Sequence, residues 1–114
     1  MFIRYPKLKS MSKIAEFADR VMELVSHETD IPKEQILSKC RTVEIVDARH
    51  MVIKLLHANN VYPSRIASIF NLSPRTIHYA LTAFDNRIAT NNSLRNIYAE
   101  LSKKLSRKSE ATAK

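Results

Sequence analysis

The chain has 114 residues and no glycine, which argues against Gly-rich phosphate loops, nucleotide-binding turns and most hairpin-rich β folds, since all need residues at ease with positive φ. That length suits one domain with a single core, and the lone Cys40 excludes an internal disulfide and suits a reducing cytosol. The net charge of +8 is uneven: residues 11–38 hold three basic and six acidic side chains, residues 39–88 seven and three, residues 89–114 six and two. Positive charge therefore gathers in the second half and at the two ends, the footprint of a polyanionic partner. No apolar run approaches the roughly 18 residues of a membrane span, so no membrane partner is expected.

Residues 1–11 read as a basic arm, with Arg4, Lys7 and Lys9 spread around Pro6 and no apolar periodicity. The arm lacks the apolar stretch of a secretory signal, and Met11 offers an alternative start. A first helix is expected from about Ser12 to His27, with Ile14, Phe17, Val21, Leu24 and Val25 inward. Asp30 is expected to cap a short second helix, with Pro32 in its first turn and Ile36 and Leu37 packing back. The basic connection SKCRT, residues 38–42, leads into a central helix from about Val43 to Asn59. Its apolar face holds Ile45, Ala48, Val52, Leu55 and Leu56, and its wet face Asp47, His50, Lys54 and His57. Asn59 and Asn60 end it in place of glycine.

Residues 63–82, PSRIASIFNLSPRTIHYALT, carry the pattern of a helix-turn-helix. Ile66 and Phe70 share one face of a short helix, and the small Ala67 permits a close crossing. Asn71 marks the sharp turn, because Asn tolerates the left-handed backbone. Ser73 and Pro74 restart the chain as N-cap and first-turn proline. Ile77, Ala80, Leu81 and Phe84 then form the inward stripe of a helix expected to reach about Ala89. Its opposite face presents Arg75, Tyr79, Thr82 and Asn86, with Thr76 and His78 on the flanks. Such donors, acceptors and an aromatic suit the reading of base edges in a major groove. Ser93 is expected to cap a last helix with Leu94, Ile97, Tyr98 and Leu101 inward, before a basic, solvated tail over residues 106–114.

Metal and catalytic chemistry find no support in the spacing. His50 and His57 share a face two turns apart, about 11 Å along the axis, too far for one ion. Cys40 lacks partners at zinc-ligand spacing, and no nucleophile sits in a glycine-rich turn. No metal, cofactor or enzymatic activity is expected.

The segment SKCRTVEIVDARHMVIKLL, residues 38–56, resembles the basic loop and following helix of the C-terminal DNA-binding domain (domain IV) of the replication initiator DnaA, typically S-K-[SC]-R-x-x-E-[VI]-V-x-A-R-x-x-A. IASIF, residues 66–70, matches the family's I-G-x-x-F, and Thr76-Ile77 falls on its T-V. The likeness covers about residues 13–105 and relates the chain to Trp-repressor-type helix-turn-helix proteins. It implies an all-α fold, a compact bundle of about six helices over residues 12–105. It also implies that Arg41 enters the minor groove and that Arg49 contacts backbone phosphate. The family reads bases through R-D-H-[ST]-T, whereas this chain has Leu72, Ser73, Pro74, Arg75 and Thr76 there, keeping only the last threonine.

Double-stranded DNA is thus the expected partner, with Lys39, Arg41, Arg49, Lys54, Arg65, Ser73, Arg75, Thr76, His78, Tyr79 and Thr82 as candidate contacts. The expected role is regulation of replication or transcription in the cytoplasm, near the nucleoid, as a monomer on DNA and without ATPase chemistry. Other replication or transcription proteins are possible partners. Two rivals stay open: a helical protein–protein adaptor that keeps the initiator fold, and a dimeric repressor.

Overall fold

A computed structural model describes the backbone of residues 4–113 and the side chains of residues 14–105. The side chains of the expected basic arm and tail thus lie outside the described residues. Six helices, and no strand, make up the described chain: α1 (Arg4–Thr29), α2 (Lys33–Leu37), α3 (Val43–Ala58), α4 (Pro63–Phe70), α5 (Pro74–Thr90) and α6 (Asn92–Ala113). The all-α bundle expected from patterning is the observed fold. Both terminal helices outrun their apolar stripes. Pro6 falls in the first turn of α1, where its missing N–H breaks no helical bond, and residues 106–113 contain neither Pro nor Gly to stop α6.

Helix α3 touches each of the other five helices and is the axis of the bundle. Met51 and Ile53 are fully buried along with Val52, Leu55 and Leu56, so its apolar face is wider than the expected stripe. Enclosure on most sides lets a helix bury residues that amphipathic patterning would send to solvent. Around it pack Val21 and Val25 of α1, Ile36 of α2, Ile66 and Phe70 of α4, and Ile77, Ala80 and Phe84 of α5. Leu94, Leu101 and Leu105 of α6 close the cluster, and the Tyr98 ring meets Phe84 edge-on at 5.5 Å between centroids.

Without glycine, the chain places Asp30, Asn60 and Asn71 at the three positive-φ positions among the described residues, with φ of 64°, 72° and 57°. Asn71 and Asn60 each close a helix in the same way. Leu72 N–H donates to the Ala67 carbonyl at 2.8 Å and Asn71 N–H to Ser68, while Val61 N–H donates to Leu56 at 3.0 Å and Asn60 N–H to His57. These are Schellman closures with asparagine in the usual glycine position.

Three local expectations need correction. Asp30 does not cap α2; it takes the left-handed position just after α1, and Pro32 is the N-cap, without a side-chain bond. Asn91, not Ser93, caps α6, its Oδ1 accepting from Leu94 N–H at 3.0 Å. A cap must precede the first helical residue, and the helix starts earlier than its apolar stripe. Leu37 is 42% exposed rather than packed back, because α2 is too short to bury two adjacent residues.

Candidate nucleic-acid interface

Residues 71–73 join α4 to α5 in a tight turn. Ser73 stands at the N-cap of α5 in extended backbone, and its Oγ accepts from Thr76 N–H at 3.2 Å. Ser73 and Thr76 hydroxyls also lie 2.9 Å apart. This satisfies one of the donors that a helix start leaves unpaired, and it fixes the first turn bearing Arg75 and Thr76. Along the same helix, Arg75, Thr76, His78, Tyr79 and Thr82 are all exposed, Tyr79 by 70%. Thr82 Oγ1 bonds back to the His78 carbonyl at 3.2 Å. The inward stripe Ile77, Ala80, Leu81 and Phe84 is buried as expected.

The loop between α2 and α3 is tied down chiefly by one side chain. Arg49 reaches back from α3, donating from Nε to the Ile36 carbonyl at 2.9 Å and from Nη2 to the carbonyls of Ser38 and, at 3.0 Å, Cys40. Ser38 Oγ also accepts from Cys40 N–H at 3.2 Å. Partial burial lowers the Arg49 pKa from its ordinary value, and the nearby Cys40 opposes this; a guanidinium stays charged regardless. Hydrogen bonding from Thr42 lowers the pKa of the exposed Cys40 thiol, with Arg49 adding a smaller pull.

A cleft of about 240 Å³ opens between this loop and the start of α5. Leu37, Ile53, Phe70, Leu72 and Ala80 give it apolar walls, and Lys39, Arg41, Arg49, His50 and Thr76 supply its polar groups. No acidic side chain lines it. Lys39 and Arg41 both line the cleft, while Cys40 between them does not. The structure therefore gathers Lys39, Arg41, Arg49 and Thr76, four of the residues singled out from sequence.

Lys54 lies elsewhere. Its Nζ pairs with Asp85 of α5 at 2.9 Å, and Arg87 of α5 grips Asp47 of α3 through two bonds of 3.1 and 2.7 Å. Arg65 is exposed on α4. His50, expected on the wet face of α3, is half-buried against the cleft. Burial first, then the Arg49 charge, lowers its pKa, with Asp47 opposing. Neither its burial nor the Arg87–Asp47 pair had a local signal, because each depends on where a distant helix packs. No three His, Cys, Asp or Glu side chains cluster to hold a metal among the described residues, and no described helix is long and apolar enough to cross a membrane.

No family model matches the chain. It is similar to DnaA. Over 100 residues it is 25% identical to the chromosomal replication initiator protein DnaA of Leptospira biflexa serovar Patoc, strain Patoc 1 / Ames, and equally to that of strain Patoc 1 / ATCC 23582 / Paris. The match covers 87% of this chain but only 23% of either relative, so the chain spans less than a quarter of their length. What the chain shares with the initiator is a domain-sized segment.

Proposed function

We propose that this domain binds double-stranded DNA sequence-specifically. The reading rests on one observation above all: the basic loop and the first turn of α5 meet at one cleft whose charged lining is entirely cationic. In this reading the start of α5 enters the major groove with Arg75 and Thr76 at base edges, and Arg41 reaches the adjacent minor groove. Lys39 and Arg65 add phosphate attraction, and His78, Tyr79 and Thr82 flank the reading edge. The likeness to a segment of DnaA supports a role in regulating replication or transcription, exercised in the cytoplasm by occupying a site, without ATPase chemistry.

The initiator's own box is not the expected target. Leu72, Ser73 and Pro74 stand where the resemblance places a guanidinium, a carboxylate and an imidazole. Losing two such contacts, at about 1–3 kcal/mol each, lowers affinity for that box by about thirtyfold or far more. Enriching bound duplexes from a random pool tests the reading directly. A short, asymmetric motif is expected, bound more tightly than the initiator box in parallel titrations. Affinity should fall with salt by about 0.9 log unit per log unit of salt for each phosphate contacted. A featureless basic preference would overturn sequence reading and favour the adaptor; a palindromic motif would favour the dimeric repressor.

A further inference from the structure

Arg49 is engaged otherwise than in the phosphate contact that its position in the A-R pair implies. Its Nε and Nη2 are spent on three carbonyls of the preceding connection, those of Ile36, Ser38 and Cys40. These carbonyls belong to alternate residues, so one guanidinium sets the path of the backbone on which Lys39 and Arg41 sit. Apart from that grip, the segment from Lys39 to Arg41 has little to hold it: all three residues are exposed, Ser38 Oγ contributes one bond to Cys40 N–H, and Cys40 Sγ contributes one to the Thr42 hydroxyl at 3.3 Å. A planar fork with fixed donors can span several acceptors at once, which a lysine ammonium on a flexible stem cannot do.

We propose that Arg49 is a positioning residue. It holds the α2–α3 loop in the one path that presents Arg41 to DNA and does not itself contact phosphate. The inference rests on the DNA-binding reading for its consequence and on the carbonyl bonds for its mechanism, and the two can be tested apart.

The decisive variant is Arg49→Lys, which keeps the charge and removes the fork. On the enriched duplex it should weaken binding by about tenfold, matching Arg41→Ala. The double variant should lose clearly less than the sum of the two single losses, because a loop without Arg41 has only Lys39 left to present. Arg49→Lys should still fold, with the helical circular dichroism of the parent. A nitroxide on Cys40, the only cysteine of the chain, reads the loop directly and should become markedly more mobile in Arg49→Lys.

Wild-type affinity in Arg49→Lys would make Arg49 a simple cation and overturn the proposal. Additive losses in the double variant would do the same, as would an unchanged nitroxide spectrum or a variant that fails to fold. If the parent protein binds no duplex at all, the DNA-binding reading falls by itself. The nitroxide then decides the clamp: a mobilised loop supports it and an unchanged one removes it.

Discussion

Two sets of cations in this molecule look alike in the sequence and differ in kind. Along the seam between α3 and α5, Lys54 is paired with Asp85 and Arg87 with Asp47. At the cleft and along the exposed faces of α4 and α5, Lys39, Arg41, Arg65 and Arg75 have no acidic partner among the described residues. Arg49 stands between the two sets, charged but committed to carbonyls. The positive excess of residues 39–88 is thus two populations, one neutralised in holding helices together and one left facing solvent. Only the second is available to a polyanion, because a paired cation has its field cancelled at close range.

The largest effect should come from breaking the seam. Phe84 is fully buried where α5 meets the core and packs against Tyr98 of α6. Phe84→Ala should cost about 3–5 kcal/mol of stability in denaturant melts, a large part of what a domain of this size possesses. Any loss of DNA binding in that variant should track the unfolded fraction. A variant that stays folded yet loses binding would show that the seam does more than support the surface.

Next in size are the unpaired cations. Arg75→Ala should leave the melting temperature unchanged and cost about 1–3 kcal/mol on the best duplex, with little loss on random DNA. Arg41→Ala should lower affinity more generally, with lost preference confined to an A·T-rich flank, since the minor groove carries a degenerate code. The seam supplies the control. Lys54→Gln should cost below about 1 kcal/mol of stability, as for a partly exposed ion pair, and leave the salt dependence of binding unaltered. A fall in that slope equal to the one from Arg65→Gln would merge the two populations and undo the distinction.

Ser73 sits on the boundary between the roles. The sequence places it among the candidate DNA contacts, yet its oxygen accepts from Thr76 N–H and fixes the start of α5. Ser73→Ala should cost about 1 kcal/mol of stability through the lost cap, and Ser73→Asp should largely restore it. On DNA the two should separate, since a carboxylate at the mouth of the major groove repels phosphate while alanine does not. Equal affinity for both would place Ser73 outside the interface.

The helices and their caps were largely legible in the sequence, the division between paired and unpaired cations was not, and what failed did so for a common reason. The helix stripes, Asn71 as a left-handed stop and Ser73 as a cap are local patterns set by residues within one or two turns, and they appear where expected. That the basic loop and the α5 start lie side by side is no local pattern; only the family resemblance implies it, and both segments line the cleft. Asp30 and Ser93 misled because several polar residues near a helix end compete for the cap, and the helix start, not the apolar stripe, chooses among them. Met51 and Ile53, missing from the expected stripe, are buried and His50, expected on the wet face, is half-buried because α3 is surrounded, a fact of tertiary packing. The Arg87–Asp47 pair joins residues 40 apart in sequence, beyond the reach of any periodicity.

The smallest expected effect, and the one that ties cleft to seam, belongs to His50. Burial and the Arg49 charge hold its pKa below the ordinary 6.5, so the folded chain favours the neutral ring more than the unfolded chain does. Its contribution to stability is therefore fully present above about pH 6.5 and is lost as the pH falls toward and through the lowered value in the folded state. His50→Gln should remove that part of the acid sensitivity and leave the rest, which comes from other groups. Duplex DNA should act in the opposite direction. The cleft that holds His50 is lined by Lys39 and Arg41, and phosphates drawn to those cations would stabilise the imidazolium. An NMR titration of the His50 ring should thus show a pKa below the ordinary value in the free protein and a rise when duplex is added. If the ring titrates identically with and without saturating DNA, the bound phosphates lie away from the cleft, and the cationic lining belongs with the seam as structure.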